Sequence, residues 1–124
     1  MKIQRTLLTL ALLAPMAAMA QIPWAKDYAS ARTKAKSSGK AVLAYFWRAD
    51  SPGCVRMDQT TWKDPRVVAQ LSSTVVPVRI DAAKEATLAK QLRVTVFPTM
   101  LYVDAAGKEW GRMNSFTPPL AFHD

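Results

Sequence analysis

The sequence predicts an α/β fold in which a central mixed sheet of four strands is flanked by helices. Helix and strand patterns alternate over the first part of the chain, an order that favours parallel strands joined by right-handed crossovers. The last two strand patterns are separated only by the turn at 104–107, so we expect an antiparallel hairpin. Pro77 lies inside the second strand pattern. Because proline cannot donate a ladder hydrogen bond, this strand belongs at a sheet edge or carries a bulge.

The local patterns predict eight elements. Tyr28, Ala31 and Ala35 recur at helical spacing before Gly39, a residue suited to the end of a helix. The first strand is an apolar run that is too short to cross a membrane and has the length of a buried strand. In chain order the predicted elements are a helix at 26–38, a strand at 42–47, helices at 53–60 and from 65, a strand at 74–81, a helix at 82–92, and strands at 99–103 and 108–116.

The later elements are predicted from caps and apolar faces. Asp64 and Pro65 are suited to be the N-cap and the first residue of a helix. In the hairpin that ends the sheet, the aromatic and thioether side chains are expected to point inward. The residues predicted to face the core from these elements are Val67, Val68, Leu71, Ala86, Leu88, Ala89, Leu92, Trp110 and Met113.

The first residues are predicted to be an export signal. Lys2 and Arg5 give a basic start, an apolar core follows, and Ala18-Met19-Ala20 has the small-x-small pattern that signal peptidase accepts. The alternative is an uncleaved amphipathic helix. We therefore expect a signal peptide at 1–20 and one domain at 21–124, located in the bacterial periplasm or outside the cell, with no stable membrane anchor after cleavage.

The charges argue against one class of partner. Without Lys2 and Arg5, 15 of the 17 basic side chains remain against nine acidic ones, so the mature net charge is +6. These basic residues are scattered and form no stripe interleaved with aromatic residues, a distribution typical of a solvated surface. We expect no nucleic-acid partner, whereas an acidic protein or an anionic membrane surface stays open.

The segment Ser51-Pro52-Gly53-Cys54 holds the only cysteine and directly follows the first strand. A thiol at the start of a helix gains reactivity, because backbone N–H groups and the helix dipole stabilise the thiolate. A single cysteine forms no disulfide within the chain. Cys54 is therefore either buried and inert or available to another molecule, and the frequent burial of free cysteine favours the first reading.

The order of residues from Phe46 to Cys54 resembles, without a gap, the active-site stretch of thioredoxins, where a strand ending in Phe-Trp-Ala runs into Trp-Cys-Gly-Pro-Cys. The resemblance puts Cys54 at the second cysteine of the C-x-x-C pair and Ser51 at the position of the attacking cysteine. Cys54 and Met57 also match the C-x-x-C-x-x-M pattern of exported relatives. The second landmark is Val96-Phe97-Pro98-Thr99, where the family has a cis-proline facing the C-x-x-C turn.

This resemblance covers residues 24–116 and implies a thioredoxin-like fold. It implies a sheet in which the Pro77 strand is outermost, the Val42 strand is next, and the hairpin follows. The family's C-terminal helix is short or missing here, because the chain ends soon after Thr117-Pro118. We expect that Leu120 and Phe122 pack onto the sheet, or that a partner such as a second copy of the chain covers the open face.

Three substitutions imply that full dithiol oxidoreductase activity is absent. Ser51 replaces the attacking thiol, Tyr45 replaces a buried aspartate that assists proton transfer, and Asp50 replaces a tryptophan. Disulfide exchange needs a thiolate to attack a disulfide and a neighbouring thiol to release the mixed disulfide. Ser51 is not expected to act as a nucleophile, because no histidine is adjacent to it in sequence, and a helix N-cap is the expected role of this serine.

The leading hypothesis is an accessory or polypeptide-binding module of a thiol-redox pathway, with a polypeptide or thiol-containing partner and no cofactor. The substrate-facing residues implied by the resemblance are Pro52, Gly53, Phe97 and Pro98. One alternative is monothiol exchange, in which Cys54 forms a mixed disulfide that an outside thiol resolves. The other is Cu(I) handling, since thiolate and thioether groups suit that ion. Residues that could contribute to a copper site are Cys54, Met57, Met100, Met113 and His123, although core packing of the methionines is the favoured reading and no metal site is predicted.

Overall fold

The alternation of helices and strands predicted from the sequence is present in the structure, a computed structural model that describes residues 20–122. Of the predicted signal peptide, only Ala20 is among these residues, and His123 lies outside them. The elements are α1 (Tyr28–Ser38), β1 (Ala41–Trp47), α2 (Pro52–Gln59), a 3₁₀ turn (Thr61–Lys63), α3 (Pro65–Thr74), β2 (Val75–Asp81), α4 (Ala86–Gln91), β3 (Thr99–Val103), β4 (Glu109–Met113) and a second 3₁₀ turn (Pro119–Phe122).

The four strands form one mixed sheet in the order β2-β1-β3-β4. β1 pairs with β2 in parallel and with β3 antiparallel, and β3 pairs with β4 antiparallel. The edge position predicted from Pro77 is confirmed. The carbonyl of Pro77 accepts a hydrogen bond from the backbone N–H of Ala25 at 2.7 Å, and Ala25 forms an isolated parallel bridge with Val78. The residues before α1, 20–27 and called here the lead-in segment, therefore close part of this edge.

One face of the sheet, called here the aliphatic face, is covered by α1 and α4. Alternate residues of a strand point to opposite faces, and Val42, Ala44 and Phe46 of β1 point to this one. From α1, Ala31 and Ala35 pack against it with almost no exposed surface. The small alanine side chains let the helix lie close to the strands, so this side of the core consists almost wholly of hydrocarbon.

The opposite face, called here the aromatic–sulfur face, is covered by α2, the first 3₁₀ turn and α3. Its core includes Tyr45, Cys54, Met57, Trp62 and Met100. The rings of Tyr45 and Trp62 meet edge to face with centroids 5.0 Å apart, a favourable arrangement of aromatic quadrupoles. The segment with the cysteine lies on this side of the sheet.

The structure corrects the start of α4. The helix was predicted from residue 82, but residues 82–85 form a turn. The carboxylate of Asp81 accepts from the N–H of Ala83 at 2.9 Å, and its carbonyl accepts from the N–H groups of Lys84 and Glu85. An aspartate that bonds the following backbone competes with helix formation in this way. Of the predicted apolar face, Ala89 is buried, Leu88 and Leu92 are partly buried, and Ala86 is exposed.

The prediction that Trp110 packs inward is wrong, because its side chain is 71% exposed. Tyr102 pairs with Gly111 and Val103 pairs with Glu109, so Trp110 is the extra residue of a bulge in β4. A bulge re-aims the side chain it carries. Met113, by contrast, is partly buried against the aromatic–sulfur face.

The expected packing of Leu120 onto the sheet is also wrong, because this side chain is 64% exposed, while the side chain of Phe122 lies outside the described part of the chain. Instead, Thr117 anchors the C-terminal segment. Its carbonyl accepts from the Thr61 hydroxyl at 2.6 Å, and its N–H points at the Met57 sulfur at 3.4 Å. The segment is therefore held by Thr117 and by the neighbouring Phe116, which packs against the aromatic–sulfur face, rather than by an apolar helix.

Candidate functional site

The turn between β1 and α2 is built around Ser51. This residue is the N-cap of α2, with extended backbone angles, and its Oγ accepts a hydrogen bond from the N–H of Cys54 at 3.2 Å. Pro52 follows as the first helical residue, where its missing N–H costs nothing because that group has no partner inside the helix. Two independent features of the sequence Ser-Pro-Gly-Cys, the serine cap and the proline after it, therefore favour the start of a helix here.

The Ser51 hydroxyl also ties this turn to a second loop. Its Oγ–H donates to the carbonyl of Phe97 at 3.0 Å. The one proton of the hydroxyl is thus used by Phe97, while an oxygen lone pair is used by the N–H of Cys54. An alcohol held between two backbone groups in this way has a structural role, because its proton is donated to a carbonyl and not to a basic side chain that could activate it.

The loop that receives this hydrogen bond contains a cis peptide bond between Phe97 and Pro98. Pro98 is buried, and Phe97 is half-buried. The two loops approach so closely that a Cβ atom added to Gly53 would lie 2.8 Å from Cδ of Pro98. Only glycine leaves room for this approach.

The structure therefore brings together Ser51, Gly53, Phe97 and Pro98 on one side of the turn. Pro52 is exposed beside them. Two large apolar side chains flank the pair of loops, since Val55 of α2 is 43% exposed and Val96 is 48% exposed. Exposed apolar side chains of this kind are suited to contact another polypeptide.

Cys54 lies behind this surface and is only 2% exposed. Its carbonyl accepts a hydrogen bond from the Tyr45 hydroxyl at 3.5 Å. Burial, reinforced by the nearby Cys54, raises the pKa of the Tyr45 phenol far above its usual value. Tyr45 therefore stays protonated and serves as a hydrogen-bond donor, which a carboxylate at this position could not do.

A cation next to this cluster was missed from the sequence. Arg79 of β2 forms a bidentate ion pair with Asp58 of α2 at 2.7 and 2.9 Å. Its guanidinium lies 5.3 Å from the ring centroid of Tyr45 and 4.7 Å from that of Trp47. The hydrogen bonds that the Arg79 guanidinium donates to the Asp58 carboxylate raise the pKa of Arg79. The alternation of a strand puts Arg79 on the same face as Pro77, but neither the chemistry of that face nor the partner in α2 follows from the sequence.

A second cation lies at the outer rim of the site. Arg48 pairs with the exposed Asp50 at 3.2 Å, and its guanidinium lies 5.7 Å from the ring centroid of Phe97. An exposed pair of this kind contributes little to stability. Its effect is to place one positive and one negative charge at the mouth of the turn.

The methionines considered as copper ligands serve other contacts. Met57 and Met100 are fully buried in the aromatic–sulfur face, and the sulfur of Met57 already faces the N–H of Thr117. Within residues 20–122, no group of three or more His, Cys, Asp or Glu side chains is placed to hold a metal ion. In the same range, none of the helices combines the length and the apolar character needed to cross a bilayer.

Comparison with known proteins places this geometry in context. The family model described as "Thioredoxin-like domain" matches residues 28–124. The chain is 35% identical over 78 residues to the thiol:disulfide interchange protein DsbD of Salmonella paratyphi A, an alignment that includes 60% of this chain. It spans only 14% of the length of that relative.

Solved structures give the same picture. The chain is similar to one described as "DsbH Oxidoreductase", with a TM-score of 0.72 and 25% identity, covering 95% of this chain and 83% of the other. It is also similar to a thioredoxin from Thermus thermophilus, with a TM-score of 0.73 and 28% identity, covering 83% of this chain and 82% of the other. The fold predicted from the sequence is thus shared with these proteins.

Proposed function

The chain belongs to the thioredoxin-like domain family, and from this premise we propose that it is an exported accessory module of a thiol-redox pathway that binds polypeptides without completing a dithiol cycle. Ser51 and Cys54 would occupy the two positions of the active-site pair. The Ser51–Cys54 turn and the Phe97–Pro98 loop would together form the surface that receives the partner.

The observation that carries this proposal is the hydrogen bonding of Ser51. Its hydroxyl donates to Phe97 and accepts from Cys54, and it stands where attack on a disulfide would begin. Transfer of an electron pair between a dithiol and a disulfide needs two sulfur atoms, and one is present. The turn therefore keeps the shape of a redox site while lacking its first nucleophile.

Polypeptide binding is supported by what surrounds the turn. Val55, Val96 and Phe97 provide apolar contact area, and the main-chain contact would use the second lone pair of the Phe97 carbonyl, whose first accepts from Ser51. Extended peptides gain affinity from main-chain hydrogen bonds and specificity from neighbouring side-chain contacts. Both kinds of contact are available without chemistry at sulfur.

The burial of Cys54 favours this function over monothiol exchange. A thiolate must reach the sulfur that it attacks, and Cys54 is 2% exposed. Exchange at Cys54 would require the turn to open, with loss of the hydrogen bond between Ser51 and Phe97.

The catalytic half of the proposal is tested with insulin reduction in the presence of dithiothreitol. We expect no rate above background for the unmodified protein and a measurable rate for Ser51→Cys, because that variant supplies the second sulfur. A matched Ser30→Cys variant, with its cysteine at an exposed position of α1, should stay at background. Turnover by the unmodified protein would contradict the proposal.

The binding half is tested by amide chemical shifts. Carboxymethylated insulin B chain, an unfolded polypeptide without free thiols, serves as the probe. Amides of Ser51, Cys54 and Phe97 should shift on titration, while those of Ala31 and Ala35 on the other face should not. Shifts confined to other surfaces, or no shifts at all, would show that this site does not bind polypeptides.

A further inference from the structure

A second chemical feature lies at the start of the predicted mature domain. Cleavage after Ala20, which belongs to the proposed export, makes Gln21 the N-terminal residue. We propose that this new N-terminus cyclises to pyroglutamate at the mouth of a cavity between the lead-in segment and α2. The inference depends on export but not on polypeptide binding.

The reaction needs no oxidant, reductant or second substrate. The neutral α-amino nitrogen of Gln21 attacks the Cδ carbonyl carbon of its own side chain, and a new N–C bond closes a five-membered lactam. The bond between Cδ and Nε2 breaks, and the leaving nitrogen takes up a proton and departs as ammonia. A charged ammonium terminus and a carboxamide are replaced by one neutral ring.

The structure places Gln21 immediately before a segment that is anchored to the fold. Ile22 is buried, and its carbonyl accepts from the N–H of Trp24 at 2.9 Å. The N–H of Ala25 donates to the carbonyl of Pro77 at 2.7 Å. Gln21 itself is exposed. After cleavage, one residue would thus project from an anchored segment, with its amine and carboxamide free to meet.

The charges around this position favour the neutral product. Gln21 lines a cavity of about 440 Å³ together with Asp58, Lys63 and Arg79. Both oxygens of Asp58 are already engaged by Arg79, and among the described residues no carboxylate forms an ion pair with Lys63. An ammonium group placed here faces the unpaired cation of Lys63 beside the neutral Arg79–Asp58 pair, so its protonation is disfavoured and the nucleophilic amine is favoured.

The cavity also suits the ring that forms. Trp24 and Trp62 line its wall, and their rings meet edge to face with centroids 5.4 Å apart. A small lactam with no charge loses less hydration in such surroundings than an ammonium group does. The ring therefore fits beside the indoles better than the uncyclised terminus.

The test begins with the full-length chain exported by its own leader from a bacterial host. Intact-mass measurement and mass spectrometry of the N-terminal peptide should give residues 21–124 less one ammonia, blocked to Edman degradation. The Gln21→Ala variant should keep a free amine. A purified chain that begins at Gln21 and keeps its free amine and side-chain carboxamide after prolonged incubation would overturn the proposal. Cleavage at another bond would overturn it as well.

A rate comparison tests the contribution of the cavity. Freshly exported protein should lose ammonia several-fold faster when folded than in denaturant, and Lys63→Glu should slow the folded reaction because it supplies a partner for the ammonium. Lys36→Glu, on α1, should leave the rate unchanged. Equal rates in the folded and denatured chains would show that the surroundings of Gln21 do not promote the reaction.

Discussion

The aliphatic face and the aromatic–sulfur face share the same four strands, yet they differ in chemistry. On β1, Phe46 points into hydrocarbon beneath α1, whereas Tyr45 points to a thiol, an indole and an ion pair. Among the described residues, the aliphatic face carries one buried polar side chain of the sheet, Thr99, whose hydroxyl donates to the nearby carbonyl of Val96. The other face places hydrogen-bonding groups inside the core, and the turn with Ser51 and Cys54 begins there. One face thus supplies stability, and the other carries the candidate site.

The largest expected effect comes from the aliphatic face. Phe46→Ala removes a fully buried ring, and we expect it to lower the free energy of unfolding by about 3–5 kcal/mol, measured by urea denaturation. The amide shifts of Ser51 and Cys54 should change little, because the ring points away from them. Large shifts at the turn would show that the two faces are not separable in this way.

On both faces, the elements that the sequence predicts best are those marked by a local signal. Ala31 and Ala35 at helical spacing, Gly39 after them and Pro77 in an edge strand are local signals, and each leads to the observed element. Asp64-Pro65 likewise predicts the first residue of α3. Such signals predict structure reliably because a cap or a proline constrains only the backbone of the few residues next to it.

Features that depend on contacts between distant segments were not predicted. Asp58 and Arg79 are 21 residues apart, and nothing local indicates that they pair. The exposure of Trp110 follows from a bulge whose position depends on the register with β3. For the candidate site, the residue types and their grouping follow from the motif and the resemblance, whereas the bond from Ser51 to Phe97 required the three-dimensional structure.

The next effect concerns the contact between the two loops of the site. Gly53→Ala places a Cβ atom 2.8 Å from Cδ of Pro98, and we expect a loss of about 1–3 kcal/mol from this overpacking, despite the gain in helix propensity of about 1 kcal/mol. Gly111→Ala is the matched control, because a Cβ there meets nothing within 4 Å. Equal stabilities in urea for the two variants would mean that the loops separate easily.

A smaller effect is expected at the cap of α2. Ser51→Ala removes the acceptor for the N–H of Cys54 and the donor to the carbonyl of Phe97, which should cost about 1 kcal/mol. Cys54 should then react faster with a thiol reagent under native conditions, because the turn loses its tie to the second loop. Unchanged reactivity would show that this hydrogen bond does not keep the thiol covered.

The smallest effect compares helix caps on the two faces. Asp64 caps α3 and pairs with Arg66, and these hydrogen bonds hold its pKa at about 2, below the usual 3.8. Asp27 caps α1 through the N–H of Ser30, which also lowers its pKa. A depressed pKa means that the folded state binds the proton less readily, so each carboxylate stabilises the fold above its usual pKa and loses that contribution as pH falls.

Between pH 4 and pH 2 the free energy of unfolding should therefore fall progressively. The fall should be smaller in Asp64→Asn than in Asp27→Asn, since only Asp64 has a guanidinium partner as well as a backbone one. Thermal unfolding followed across this pH range measures both losses. Added salt should weaken the Asp64 contribution, because the Arg66 guanidinium is exposed and screened. An equal pH dependence in the two variants would mean that the backbone hydrogen bond of each cap, and not the ion pair, accounts for the acid sensitivity of both helices.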